Sequence, residues 1–142
     1  MYYELLAMEL LNVRTKLLQV PAQREISKLM RGELFVLNYL KYHNGSVHPK
    51  ELSEKMAVST ARIARLLNHL EDQKLIVRLT DGNDSRQIIV QLTELGEAEI
   101  EHARNKVLEC TVRMLESLGA EDANEYIRIQ EKIYQTYLSM NK

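Results

Sequence analysis

The period of the apolar residues changes partway along the chain, and that change restricts the fold more than any other feature. Ile63, Leu66, Leu67 and Leu70 fall at i, i+3, i+4 and i+7, the spacing of a helix buried along one face. After Gln73-Lys74 the helical period stops. Leu75-Ile76-Val77-Arg78-Leu79 and Gln87-Ile88-Ile89-Val90-Gln91-Leu92 are β-rich and flank Thr80-Asp81-Gly82-Asn83-Asp84-Ser85, which reads as a hairpin. Upstream, Pro49 suits a first helical turn, and Leu52 and Met56 lie four apart. Ala57-Val58 makes a tight connection, and Ser59 stands where a helix N-cap is wanted. Two helices across a tight turn, then a hairpin, describe a winged helix-turn-helix. Ahead of it, Leu34, Val36, Leu37 and Leu40 mark one more helix before Asn44-Gly45 and an isolated apolar Val47.

The ends of the chain are helical and unusually apolar. From Tyr2 to Val20 a seam runs through Leu6, Leu10, Val13, Leu17 and Val20, while Leu5, Met8, Leu11 and Leu18 spread apolar surface around the cylinder. A helix apolar over most of its circumference must be covered on several sides. A chain of 142 residues has few elements to cover it with, so a second subunit is the expected supplier. Pro21 is expected to end or kink this helix. After Thr93, a potential N-cap followed by Glu94 and Glu97, a long helix carries Ile100, Ala103, Val107, Cys110 and Met114 in one row and Leu108, Val112 and Leu115 in another. Leu118-Gly119 ends it, and a final helix follows with Tyr126, Ile129, Ile133, Tyr137 and Met140 on one stripe. The expected architecture is mainly α with a small β-wing. Residues 1–30 form an N-terminal dimerisation helix, 31–92 the winged helix-turn-helix, and 93–142 the C-terminal dimerisation helices, which make one structural unit with 1–30.

Composition excludes several classes. With 45% hydrophobic residues the chain can bury a core, and 19 basic against 20 acidic side chains leave a net charge of −1, unlike a basic tail protein or a disordered acidic one. Charge is uneven along the chain. Residues 1–92 hold 13 basic and 10 acidic side chains, a balance of +3; residues 93–142 hold 6 and 10, a balance of −4. The single cysteine cannot form an internal disulfide, which points to a reducing compartment. The N-terminus has no signal-peptide pattern and no apolar stretch approaches the roughly 20 residues of a membrane span, so a soluble cytoplasmic protein is expected.

With Ile63, Leu66, Leu67 and Leu70 turned to the core, a rotation of 100° per residue puts Ala61, Arg65 and Asn68 on the open face, with Arg62 on its flank. Ser59 and Thr60 open the helix, where hydroxyls and unpaired N–H groups can meet phosphate oxygens. Arg62 and Arg65 can donate to guanine edges in a major groove, and Ala61 allows close approach or touches a thymine methyl. His69 fits a phosphate contact. Exposed arginines alone would be read as ordinary solvated residues; their place on a helix-turn-helix followed by a hairpin favours DNA.

The stretch Glu51-Leu52-Ser53-Glu54-Lys55-Met56 through Leu66-Leu67-Asn68-His69-Leu70-Glu71, followed by Asp84-Ser85-Arg86-Gln87-Ile88-Ile89-Val90-Gln91-Leu92-Thr93-Glu94-Leu95-Gly96, resembles the MarR family of bacterial and archaeal transcription regulators. An Asp-x-Arg at the wing and an apolar strand ending in Leu-Thr-x-x-Gly carry the likeness, and the helical layout extends it over the whole chain. The resemblance implies a homodimer with interlocked terminal helices and two winged domains reading a near-palindromic operator. It also implies that Arg86 enters a minor groove with Asp84 orienting it. A narrow minor groove attracts an arginine by its concentrated negative potential. The chain departs from the family at Ala57 and Lys74, where relatives favour glycine, and at Ser85, where many carry a second arginine. The last departure implies weaker, more salt-sensitive binding.

Phe35, Tyr39 and Tyr42 form an aromatic stripe at i, i+4 and i+7, opposite Leu34, Leu37 and Leu40. In the resembled family a small-molecule pocket lies at the junction of winged domain and dimer helices. These rings could stack on a planar or phenolic effector with Arg14 or His102 as polar partner; plain packing is the favoured reading of the stripe. Cys110, on an apolar seam, suits packing better than redox sensing. A metal site from His43, His69, His102 and nearby acids lacks a preformed i, i+4 histidine pair, and neither a metal nor a cofactor is expected. No nucleophile elbow, phosphate loop or paired carboxylates stand out, so an enzyme is not expected. The function read from the sequence is an effector-responsive DNA-binding repressor. The alternatives are a winged-helix protein-interaction module without DNA binding and a metal-responsive regulator.

Overall fold

The computed structural model describes residues 1–43, 46–83 and 86–141. Seven helices and one hairpin follow in the order α1 (Tyr2–Leu17), α2 (Pro21–Ser27), a 3-10 turn (Lys28–Met30), α3 (Gly32–Tyr42), α4 (Pro49–Met56), α5 (Thr60–Asp72), β1 (Ile76–Thr80), β2 (Ile88–Leu92), α6 (Glu94–Leu118) and α7 (Ala120–Met140). The central helix-turn-helix and wing stand where the change of period puts them. The N-terminal segment is more divided than one helix ending in a kink. α1 stops at Leu17, and Pro21 opens a separate helix at its N1 position, where its missing N–H costs nothing.

The core sits in the middle of the chain. Val36, Leu37 and Leu40 of α3, Leu52 of α4, and Ile63, Leu67 and Leu70 of α5 close over Ile76 and Val90 of the hairpin and Ile100 of α6. β1 and β2 pair antiparallel from Ile76 opposite Leu92 to Thr80 opposite Ile88. Val47 adds a backbone bridge to Val90, donating and accepting at 3.2 and 2.8 Å, so the isolated apolar residue before α4 is a one-residue third strand.

Two connections explain how the helix-turn-helix closes without glycine. Ala57, at the end of α4, takes φ 53° and ψ 43°, and Lys74, between α5 and β1, takes φ 63°. Both are left-handed conformations that cost an L-residue roughly 1–2 kcal/mol. At the Ala57 turn the backbone N–H of Val58 reaches back to the Ser53 carbonyl, and Ser53 Oγ donates to the Val58 carbonyl at 2.6 Å.

Glycine is required at Gly96. A Cβ built there would lie 2.0 Å from the Leu75 carbonyl oxygen, 2.9 Å from its carbon and 3.1 Å from Leu92 Cδ2. The first turn of α6 therefore rests on the backbone linking α5 to the wing. Thr93 locks the contact. Its N–H donates to Leu75 O at 3.1 Å, its hydroxyl donates to Lys74 O at 2.6 Å, and it caps α6 by accepting from Gly96 N–H at 3.0 Å.

Elsewhere α6 is tied to the rest of the chain by polar contacts. Arg104 lies 4.5 Å over the Tyr42 ring and donates to Asn38 Oδ1 at 2.6 Å, while Lys41 reaches Glu97 and Glu101 at 3.2 and 3.1 Å. Glu25 of α2 pairs with Lys28 and Lys106, and these two lysines, Lys28 foremost, hold its carboxyl below the ordinary range. α1 and α7 contain no buried residue at all. Leu5, Met8, Leu11, Ile127, Tyr134 and Tyr137 are each more than half exposed. Among the described residues, no helix is long and apolar enough to cross a membrane.

Candidate nucleic-acid interface

α5 divides sharply between its two sides. Ile63, Leu67 and Leu70 are 1% exposed or less and Leu66 is half-buried, whereas Thr60, Ala61, Arg62, Arg65, Asn68 and His69 are exposed. Helical spacing places the buried set on one stripe, and burying it leaves the others facing outward. Ser59 has extended backbone angles, φ −67° and ψ 155°, and its hydroxyl accepts the Arg62 N–H at 3.2 Å. The helix opens with its remaining unpaired N–H groups and two arginines on an outward face, an arrangement suited to anionic oxygens.

Two exposed residues have partners that local spacing does not reveal. Asn68 Oδ1 accepts from an Arg78 guanidinium nitrogen at 2.6 Å, and the same guanidinium binds both Glu71 carboxylate oxygens at 3.1 and 3.2 Å. The Arg78 hydrogen bond holds the Glu71 carboxyl below its ordinary range. Strand β1 is thereby pinned to α5, so wing and helix form one unit. His69 Nδ1 pairs with the carboxylate of Glu33, at the start of α3. Sequence reading missed both Arg78 and Glu33. They lie 10 and 36 residues from their partners Asn68 and His69, and no periodicity connects positions that far apart.

The wing is anchored at its base. Asp81 N–H donates to Gln87 O at 2.8 Å, Asp81 Oδ1 accepts from Asn83 N–H at 2.9 Å, and His48 Nε2 lies 3.3 Å from Asp81 Oδ2. Arg86 is exposed on the hairpin, as a groove-reading arginine must be. Asp84 and Ser85 lie outside the described residues, and with them the expected Asp84–Arg86 pair.

The aromatic stripe is only partly assembled as a ligand wall. Phe35 and Tyr39 stack at 6.1 Å between centroids, and the His43 ring lies 3.8 Å from that of Tyr39. Tyr39 Oη donates to Glu51 at 2.5 Å; that hydrogen bond, with burial adding to it, pushes the phenol pKa up to about 12. Tyr42 lies under Arg104. The polar partners of the stripe are thus Glu51 and Arg104, while Arg14 is exposed in the last turn of α1 and His102 is exposed on α6. A separate apolar cavity of about 340 Å³ lies between Pro49, Thr60, Ile63, Leu67, Arg78 and Ile88, where α4, α5 and the wing meet. Cys110 is half-buried and lines another cavity with Leu17, Val20 and Met114. His43, His48 and His69 each have a different partner, and among the described residues no three metal-ligating side chains converge.

A model of the MarR family matches residues 28–87. The HTH-type transcriptional regulator YwhA of Bacillus subtilis is 29% identical over 101 residues, covering 71% of this chain and 72% of that protein. The HTH-type transcriptional repressor MdtR of the same species is 31% identical over 104 residues, covering 73% and 66%. The crystal structure of YusO, also from Bacillus subtilis, matches with a TM-score of 0.72 and 26% identity over 93% of this chain and 96% of that one. Together with a helix-turn-helix followed by a wing, these similarities show that the chain belongs to the MarR family of winged-helix, DNA-binding transcription regulators.

Proposed function

We propose that the protein is a homodimeric repressor that binds a near-palindromic operator in the cytoplasm and is released by a small-molecule effector. The observation that carries this reading is the pairing of two unsatisfied surfaces. The outer face of α5, with Ser59, Thr60, Ala61, Arg62, Arg65, Asn68 and His69, has the chemistry of a groove-reading helix, and α1 and α7 leave long apolar faces uncovered. A contiguous apolar surface of that length is costly in water and suits an interface between two copies. Residues 1–30 and 93–142 then serve as the dimerisation unit, and 31–92 as the DNA-binding domain. Two-fold symmetry would hold two α5 helices about 34 Å apart, one duplex turn, with Arg86 and Asp84 at the adjacent minor grooves. The name of the relative MdtR supports repression rather than activation.

An effector acts only if it binds the DNA-competent and incompetent arrangements unequally. The aromatic group Phe35, Tyr39 and Tyr42, with Arg14 and His102 drawn in by the partner subunit, is one seat for it. The cavity between α4, α5 and the wing is the other, and filling it would strain the Arg78 link between wing and helix.

Sedimentation equilibrium and fluorescence anisotropy with duplexes selected from a random pool test the proposal. A dimer is expected whose affinity falls steeply with salt, because neutralised phosphates release counterions. A stable monomer, or affinity indifferent to salt, would overturn it. Arg65→Ala should cost roughly 1–3 kcal/mol at one base pair per half-site, and Arg86→Ala should weaken operator binding while leaving the dimer intact.

A further inference from the structure

The DNA-facing side of α5 has an acid beside it that contributes nothing to phosphate binding. Glu33, in the first turn of α3, pairs with His69 and shares the wall of an open cavity of about 230 Å³ with Arg62, Arg65 and Leu66. The Glu33 side chain is 32% exposed and that of His69 58%, so the pair is too wet to add much stability. A carboxylate next to two cations on a surface that meets phosphates also opposes DNA affinity. What the pair does supply is geometry.

α5 is held from below by Ile63, Leu67 and Leu70, whose apolar burial is non-directional and so specifies orientation less sharply than hydrogen bonds do. Two polar ties oppose rotation about the helix axis. Arg78 of β1 grips Asn68, and Glu33 of α3 grips His69, so consecutive residues in the same turn are braced from two different elements. A roll of about 10° moves a side-chain tip about 6 Å from the axis by about 1 Å, enough to spoil a hydrogen bond.

We propose that Glu33 is a positioning residue for base recognition: it fixes the roll of α5 through His69 and gives up non-specific affinity to do so. This deepens the DNA-binding reading and rests on it. Glu33→Gln keeps an acceptor for His69 but removes the charge; Glu33→Ala removes both.

The full-length chain and both variants are titrated by anisotropy against two duplexes of equal length and composition, one selected by the wild-type chain from a random pool and one scrambled. Both variants should bind the scrambled duplex about twofold more tightly per subunit, the effect of deleting one like charge about 10 Å from a phosphate in water. Glu33→Gln should keep the selected-to-scrambled affinity ratio within about twofold, and Glu33→Ala should lower it about tenfold, the worth of one misplaced base contact. A purely structural role would weaken both duplexes in proportion and leave the ratio alone, which would overturn the proposal. If Glu33→Ala fails to fold, Glu33→Ser, too short to reach His69, breaks the same pair without removing a residue of the DNA-facing side and must lower the ratio likewise; an unchanged ratio overturns the proposal. Wild-type chain that binds neither duplex sinks the DNA reading itself. Wild-type binding with an unchanged ratio in the alanine or serine variant sinks only the role of Glu33.

Discussion

Replacing Gly96 by alanine drives a methyl group into the backbone that joins α5 to the wing. The added Cβ meets Leu75 O at 2.0 Å, where ordinary contact begins near 3.4 Å, so the first turn of α6 and the α5–β1 junction must separate by about 1.4 Å. The obstacle is a peptide carbonyl, which cannot swing aside as a side-chain tip can. A shift of that size breaks the two hydrogen bonds that Thr93 makes to Leu75 O and Lys74 O, each worth about 1 kcal/mol, and disturbs an N-cap worth about as much again. Alanine returns up to about 1 kcal/mol through its better helix propensity. The net expectation is a loss of about 2–3 kcal/mol. Urea denaturation followed by circular dichroism, at one fixed protomer concentration, reads it out. Ala98→Gly, at an exposed site two residues along the same helix, is the control and should cost only the propensity difference, about 1 kcal/mol. If Gly96→Ala proves no more harmful than Ala98→Gly, the close approach at Leu75 is not a constraint and the reasoning fails.

Three further measurements follow from the same structure. Ala57→Gly and Lys74→Gly should each stabilise the fold by about 0.5–1 kcal/mol, the relief of a left-handed residue less the extra freedom glycine gives the unfolded chain; a loss of stability at either site in the same denaturation assay would contradict the positive φ angles. Ultraviolet titration should find Tyr39 ionising near pH 12 and falling back toward the ordinary tyrosine range in the Glu51→Gln variant, with burial still holding it somewhat high. Because folding raises the Tyr39 pKa, its contribution to stability is complete below pH 10 and is lost as the pH climbs through 12, so Tyr39→Phe should destabilise the protein at neutral pH and not at the alkaline extreme.

Much of what depends on neighbours a few residues away was legible in the chain alone, although the Arg78–Glu71 pair, seven apart, was not. The stripe Ile63, Leu66, Leu67, Leu70 gave the correct buried face of α5, and Ser59 and Thr93 cap the helices they precede, because a cap needs only the N–H two or three positions ahead. The family likeness pointed to Ala57 and Lys74 as places where glycine would be easier, and both are left-handed. Pro21 was legible as a boundary but not as a beginning. The same missing N–H that breaks a helix also fits the first turn of another, and nothing local says which applies. The short helix that follows packs against α6, some eighty residues away.

The polar contacts that tie α3, α4, α5 and the wing together also join residues far apart in sequence, and they share a physical form. Glu33 to His69, Arg78 to Asn68 and Tyr39 to Glu51 each join two elements through one polar pair at the edge of the apolar core. In the sequence such residues are indistinguishable from solvated charges, since an exposed arginine and an arginine that pins a strand obey the same periodicity. Their positions nevertheless follow a rule. The core residues Val36, Leu52, Ile63 and Ile76 hold the elements together through apolar burial, which is non-directional. Hydrogen bonds are directional and lose most of their strength with a fraction of an ångström or a few tens of degrees. If Arg62 and Arg65 meet base edges as proposed, polar ties around the rim of the core serve that placement even where they add little to stability. On the proposal made for Glu33, the roll of α5 is held by the polar ties of Asn68 and His69 as well as by the residues that bury it.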